Sequence, residues 1–233
     1  MYRPIARNQN WKDSDDSLTA AAGHVLQYPV AFLEVQALVL ESLTVMSEFE
    51  RVTGPLVSGP LADPLRAFTE RWPATLARFW SENHQSYVPA LDLNGRPADQ
   101  VTSIPGYLLW AGAIPQAEAQ TIADRLLAED LATPYGIRTL GTAEGSFDPL
   151  SYHNGSVWPV DNWIIWRGLR RYGLKDAAQT VRDRLIEGLQ NLGSVPELYV
   201  VRPGGIPEPH PIACKLQAWS AGAVLDMEPG RPD

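Results

Sequence analysis

Pro159-Val-Asp-Asn-Trp-Ile-Ile-Trp-Arg-Gly-Leu-Arg-Arg-Tyr172, followed by Gly173 and by Lys175 to Leu192 with Gly193 behind it, is the stretch that decides the fold. Pro159 has the fixed φ of a first helical turn, and Gly173 is placed to end the helix. Arg167, Arg170 and Arg171 fall in its last turns, where cations complement the negative end of the helix dipole. The next helix places Ala178, Val181, Leu185 and Leu189 three or four residues apart on one face, and Gly193 stops it. Outward from this pair the same period recurs. Pro29 to Phe49 reads as a helix burying Phe32, Val35, Val39, Leu43, Met46 and Phe49, with Glu34, Glu41 and Glu48 on other parts of its surface. Asp63-Pro64 opens a helix carrying Leu65, Phe68, Trp72, Leu76 and Phe79, with Pro73 expected to kink it. Further helices follow Pro105 (Tyr107 to Trp110) and Pro115 (Ile122, Leu126, Leu127), and a seventh runs from near Leu216 to Glu228-Pro229. Strand signals are confined to Tyr87-Val88 and Tyr199 to Val201. The class is all-α, with one domain over residues 1–226 and a disordered tail over 227–233.

Composition narrows the partners. The chain has 233 residues, 45% hydrophobic and 20% charged, which excludes a disordered or coiled-coil chain. Acidic residues outnumber basic ones 27 to 19, a poor match for nucleic acid or an anionic membrane. No apolar run approaches the roughly 18 residues of a membrane span. The one cysteine, Cys214, excludes an intrachain disulfide. With no signal peptide legible at Arg3, Arg7 and Lys12, it points to the cytoplasm. The eight Trp suit a neutral polar ligand such as a sugar.

Three long loops hold the unusual residues, as loops that carry sites do. The first, Asn8-Gln-Asn-Trp-Lys-Asp-Ser-Asp-Asp-Ser17, puts Asp13, Asp15 and Asp16 beside Trp11. Crowded carboxylates favour keeping a proton, which a general acid needs, although Lys12 opposes this and a helix cap explains the composition equally. The second holds Gly136-Ile-Arg-Thr-Leu140 and Tyr152-His-Asn-Gly-Ser-Val-Trp-Pro159. Its Asn154-Gly-Ser156 matches a glycosylation acceptor, which carries little weight without a secretion signal. The third holds Pro196-Glu-Leu198 and leads to Gln217-Ala-Trp-Ser220. By residue type alone, Glu197 is a surface group, His153 a structural hydrogen-bonder and Trp219 a core residue. The histidines (24, 84, 153 and 210) are scattered and one Cys is present, so no zinc site is expected. Neither a phosphate-binding Gly loop nor a Gly-x-Ser-x-Gly elbow occurs.

Together with Glu34-Val-Gln-Ala37 and Pro105-Gly-Tyr-Leu-Leu-Trp110, these motifs stand in an order that resembles the amylo-α-1,6-glucosidase, or glycogen-debranching, type of glycoside hydrolase. Its wider clan includes glucoamylase, trehalase and mannosylglycerate-hydrolase-like enzymes. The resemblance runs from about Asn8 to Leu225. It implies a six-hairpin α/α toroid of twelve helices, here incomplete, with about seven helices present and the N-terminal ones that should precede Arg7 missing. Such a chain is expected to be a fragment, or to close by self-association or with a partner chain.

The chemistry the resemblance implies is hydrolysis of α-glucosidic bonds with inversion. Asp13 would be the acid, with Asp16 as its rival, and Glu197 the base that activates water. Inverting enzymes hold the two carboxyls roughly 6.5–9.5 Å apart to admit that water. Trp11, Trp158 and Trp219 would offer apolar faces to sugar rings, and Arg138, His153, Asp161 and Gln217 would bind hydroxyls of an oligosaccharide or α-glucan. No metal or cofactor is needed. Leu216 stands where the family usually has Pro before Gln-Ala-Trp, and Tyr199-Val200 where it often shows an aromatic and a Gly, so substrate preference stays open. Two other readings stay open as well: an inactive sugar-binding fragment, and a sugar epimerase on the same fold, which would need two facing histidines.

Overall fold

The computed structural model describes residues 10–17, 26, 28–54 and 62–228. Asn8, Gln9 and the tail residues 229–233 lie outside them. Among the described residues there are seven helices: α1 (Leu33–Thr53), α2 (Ala62–Ala77), α3 (Pro105–Trp110), α4 (Gln116–Leu126), α5 (Pro159–Arg171), α6 (Lys175–Leu192) and α7 (Ala218–Asp226). They form two rows. α1, α3, α5 and α7 pack side by side, and α2, α4 and α6 each lie against the helix before them. Apolar distribution explains the rows. Pro105 to Leu109 of α3 are all buried, as a helix enclosed on every side requires. α6 buries only the stripe Ala178, Val181, Leu185, Gly188 and Leu189, as a helix of the outer row does.

α3 and α5 approach closely because glycines line their contact. A Cβ on Gly168 would lie 2.5 Å from the Trp110 backbone nitrogen, and one on Gly106 would lie 2.4 Å from Ile165 Cγ1. The obstacle at Gly168 is backbone, which cannot turn aside. Gly168→Ala is therefore expected to destabilise the fold by about 2–3 kcal/mol, read as a lower midpoint in urea unfolding. The α5 arginines on either side of Gly168 tie the row together: Arg171 pairs with Glu41 of α1 at 2.9 Å and Arg167 with Asp226 of α7 at 2.8 Å.

Short antiparallel pairs decorate the connections: β1 (Ala31–Phe32) with β4 (Ala90–Leu91), β2 (Trp80–Ser81) with β3 (Ser86–Tyr87), β5 (Ala132–Thr133) with β6 (Gly136–Ile137), and β7 (Tyr199–Val201) with β8 (Pro207–Pro209). Single bridges extend them. Thr102 pairs with Leu140, Arg138 with Val157, and Val157 with Tyr199. The loops that lead into α3, α5 and α7 are thereby stitched into one layer at one end of the helix rows.

Several sequence readings need correction. α1 begins at Leu33, because Ala31 and Phe32 pair with Ala90 and Leu91. Its buried face is Leu33, Ala37 and Leu40, whereas Val35, Val39 and Phe49 are exposed. Leu33, Ala37 and Leu40 step by four and three, and Val35 to Phe49 does so too through Leu43 and Met46, so periodicity alone could not choose between the two faces. Glu34, read as a surface group, is 1% exposed. Met227, read as the start of the tail, is buried in the core.

Candidate active site

The stitched layer brings the first, second and third loops together. Lys12 turns inward, and its Nζ donates to the Thr139 carbonyl at 2.8 Å. Asn154 Nδ2 donates to the Asp16 carbonyl at 2.8 Å, and Ser14 Oγ meets His153 Nδ1 at 2.5 Å. Three residues of the acid-type loop are thus fixed by the second loop, and Asp13, between Lys12 and Ser14, is left exposed. Asn154 is buried with its amide already engaged, so it is not placed as a glycosylation acceptor.

Glu197 lies just before β7, buried, with three donors on its carboxylate. Tyr152 Oη donates to Oε2 in a short hydrogen bond, the Cys214 backbone N–H donates to Oε2 at 3.3 Å, and Gln217 Nε2 lies 3.5 Å from Oε1. Gln217 also caps α7 by accepting from the Ala218 N–H at 3.0 Å. One residue therefore sets both the helix start and the carboxylate. Burial, the hydrogen bond to Glu197, and the charges of Glu197, Cys214 and Asp13 hold the Tyr152 hydroxyl well above the usual phenol range. Both candidate carboxylates act on this one phenol. Its significance had no signal in the sequence beyond membership of a quoted motif.

Aromatic rings wall the site. His153 stacks on Trp158 with ring centres 5.2 Å apart, and Trp158 meets Trp219 edge-on at 6.0 Å. Trp11 packs edge-on against Trp158 at 5.4 Å and stacks on Tyr107 at 6.2 Å. Trp158 is almost fully buried, whereas Trp219 is 45% exposed and offers an open face. Burial and then the Lys12 charge push His153 down to about 3, so its ring is neutral at ordinary pH. His210, not singled out in the sequence, packs on Tyr152 from another side at 5.6 Å and bonds the Leu150 carbonyl at 3.0 Å.

Behind the acid loop lies a buried charge cluster. Lys12, Glu34 in the first turn of α1 and Asp161 in the first turn of α5 are each less than a tenth exposed. Burial raises Glu34 to about 7, opposed by Lys12 and Asn10. It raises Asp161 to about 6, opposed by Lys12 and Ser103. Burial also lowers Lys12 to about 8, while the two carboxylates pull it back up. None of the four carboxylate oxygens makes a hydrogen bond of ordinary geometry. Asp161 is therefore placed with Lys12. The Arg138 side chain lies under the β7–β8 turn, with Nη2 donating to the Val201 carbonyl at 3.0 Å. Among the described residues, no group of three or more His, Cys, Asp or Glu could hold a metal, and no helix is long and apolar enough to cross a membrane.

Two rows of helices, with the candidate site in the loops at one end, are the architecture of an α/α toroid. Residues 29–199 match the model of the mannosylglycerate hydrolase MGH1-like glycoside hydrolase domain, and the chain belongs to that family. The matched region includes Glu197 and leaves Asp13 outside it. Over 109 residues the chain is 33% identical to mannosylglycerate hydrolase MGH1 of Selaginella moellendorffii, covering 46% of this chain and 22% of that protein. It is 25% identical over 114 residues to a mannosylglycerate hydrolase of Rubrobacter radiotolerans, covering 47% of this chain and 26% of that one. Among solved structures it superposes on the GH63 mannosylglycerate hydrolase from Thermus thermophilus in complex with glucose. The TM-score is 0.68 at 21% identity, over 85% of this chain and 47% of that chain. Neutral trehalase Nth1 from Saccharomyces cerevisiae superposes with TM-score 0.67 at 14% identity, over 90% of this chain and 39% of that one. The chain thus spans less than half the length of these solved structures. The family that matches is the mannosylglycerate-hydrolase-like one, not the debranching type whose motifs the sequence resembles.

Proposed function

We propose that this chain carries the acid and the base of an inverting glycoside hydrolase acting on a small α-linked glycoside. The carrying observation is that Tyr152 donates to Glu197 while the next residue, His153, bonds Ser14 beside Asp13, so one short segment ties both loops. Asp13, protonated, gives its proton to the glycosidic oxygen as the bond to the anomeric carbon breaks. Glu197 takes a proton from a water that attacks the opposite face of that carbon. The product sugar carries the new hydroxyl, the aglycone leaves as an alcohol, and each carboxyl ends in the other's starting state. Asp13 is favoured over Asp16 because it directly follows Trp11-Lys12, as the acid follows its Trp in the resembled motif.

The substrate reading is a hexose joined to a small aglycone, because the relatives are named for mannosylglycerate hydrolysis. A branched α-glucan has only the motif resemblance behind it. Trp219 supplies the open face for a ring, while Tyr152 and Gln217 orient the base. Tyr152→Phe is expected to lower kcat by about 10- to 100-fold with little change in KM, since it removes one donor and leaves the base. The test is turnover of mannosylglycerate beside a branched limit dextrin, wild type next to Tyr152→Phe. Cleavage of the first substrate alone, slowed by the substitution, is the expected result. Cleavage of the dextrin alone would restore the debranching reading. Saturable sugar binding without turnover would make the chain a binding fragment.

A further inference from the structure

Arg138 is 4% exposed, and its environment does not answer its charge. Among the described residues, only Nη2 of its guanidinium has a hydrogen bond, to the Val201 carbonyl at 3.0 Å, and buried Nε has no partner. Its other contact of note is the Phe147 ring, 5.8 Å away. Burial alone lowers it, to about 10, and no carboxylate among the described residues contributes. The side chain therefore stays protonated at neutral pH. A buried cation without an anion costs several kcal/mol, and natural folds leave few such groups unanswered.

The missing charge has room beside it. Arg138 lines a cavity of about 440 Å³ between the β5–β6 hairpin and the β7–β8 turn. Thr133, Tyr135 and Thr142 form one side and Arg202 with Gly204 the other. Arg202 adds a second cation, half exposed and paired with Glu208 at 3.1 Å. Among the described residues, Glu129 is the one carboxylate on the lining, at the exposed rim. Neither Asp13 nor Glu197 is among the residues that line this cavity.

We propose that this cavity is a binding site for a small oxyanion, with the buried Arg138 guanidinium as its principal ligand and Arg202 at its mouth. A planar guanidinium with free N–H groups matches a carboxylate or a phosphate, and it binds either far more strongly out of water than at a surface. The ligand is a free phosphate or a small carboxylate. The site stands on Arg138 and its cavity, independently of what Asp13 and Glu197 do.

Calorimetric titration of the whole chain with inorganic phosphate, and separately with lactate, tests it. Saturable binding of one equivalent is expected, at least tenfold weaker in Arg138→Gln and unchanged in Glu197→Gln. The tighter of the two anions identifies the source. Should Arg138→Gln fail to fold, Arg138→Lys keeps a charge with a single donor head, and binding about tenfold weaker is expected from it. Arg202→Gln, at the exposed rim, should weaken binding about two- to fivefold without touching the fold. No saturable binding of either anion by wild type at tens of millimolar overturns the site. So does equal binding by wild type and every Arg138 variant.

Discussion

Glu197→Gln is expected to lower kcat on mannosylglycerate by about 10³- to 10⁴-fold while KM stays within about threefold. Glutamine keeps the volume and can still accept from Tyr152 and the Cys214 N–H, so the pocket should survive. What it loses is the ability to take a proton from water, an interaction made only in the transition state. Asp13→Asn is expected to lose as much on the same substrate, and the two variants part company on a glycosyl fluoride. Fluoride leaves without a proton, so Asp13→Asn should recover most of its rate. Glu197→Gln should not, because attack still needs the base. Equal rates of the two variants on the fluoride would remove the assignment of distinct roles.

The second large effect concerns stability against pH. Glu34 rises to about 7 in the folded chain from its ordinary 4.5, so the folded state holds this proton more tightly than the unfolded one. Its contribution to stability is present below pH 4.5 and lost as pH rises to about 7. Asp161, raised to about 6, acts in the same direction from 3.8 upward. His153, lowered to about 3, acts oppositely between that value and 6.5. Total stability therefore hides the effect, and a comparison isolates it. Between pH 5 and pH 7.5, Glu34→Gln should gain roughly 2 kcal/mol relative to wild type in urea unfolding. A difference that does not change with pH would show that Glu34 is not strained in the fold. A buried acid kept at such a cost, against the lysine next to Asp13, fits a positioning role for the cluster: Lys12 fixes the backbone of the acid loop from behind.

Much of the fold was legible. Pro159, Gly173 and Gly193 bracket α5 and α6 where the structure has them, because caps and breakers act through local backbone chemistry. The face of α1 was not legible, since that helix is apolar on two sides and only its neighbours choose between them. Two-residue strands such as Trp80–Ser81 carry no alternation to read. In the site, Asp13 and Glu197 were named through motif order, but the means of holding them were not. Glu34 read as a surface group because its burial depends on Lys12, which arrives from another loop. Tyr152 stands next to His153 in the second-loop motif, and its hydroxyl gains meaning only when Glu197 is brought to it. Asp161 and Arg138 have the residue types of sugar-binding groups, yet one lies in the buried cluster and the other under a separate hairpin.

The most direct measurement is a proton NMR time course of mannosylglycerate hydrolysis by the whole chain, with Glu197→Gln alongside. Inversion at the anomeric carbon predicts that β-mannose appears first in wild type and the α-anomer only later, by mutarotation. The variant should release almost none. First appearance of α-mannose, or release by Glu197→Gln at the wild-type rate, would contradict an inverting site built on Asp13 and Glu197.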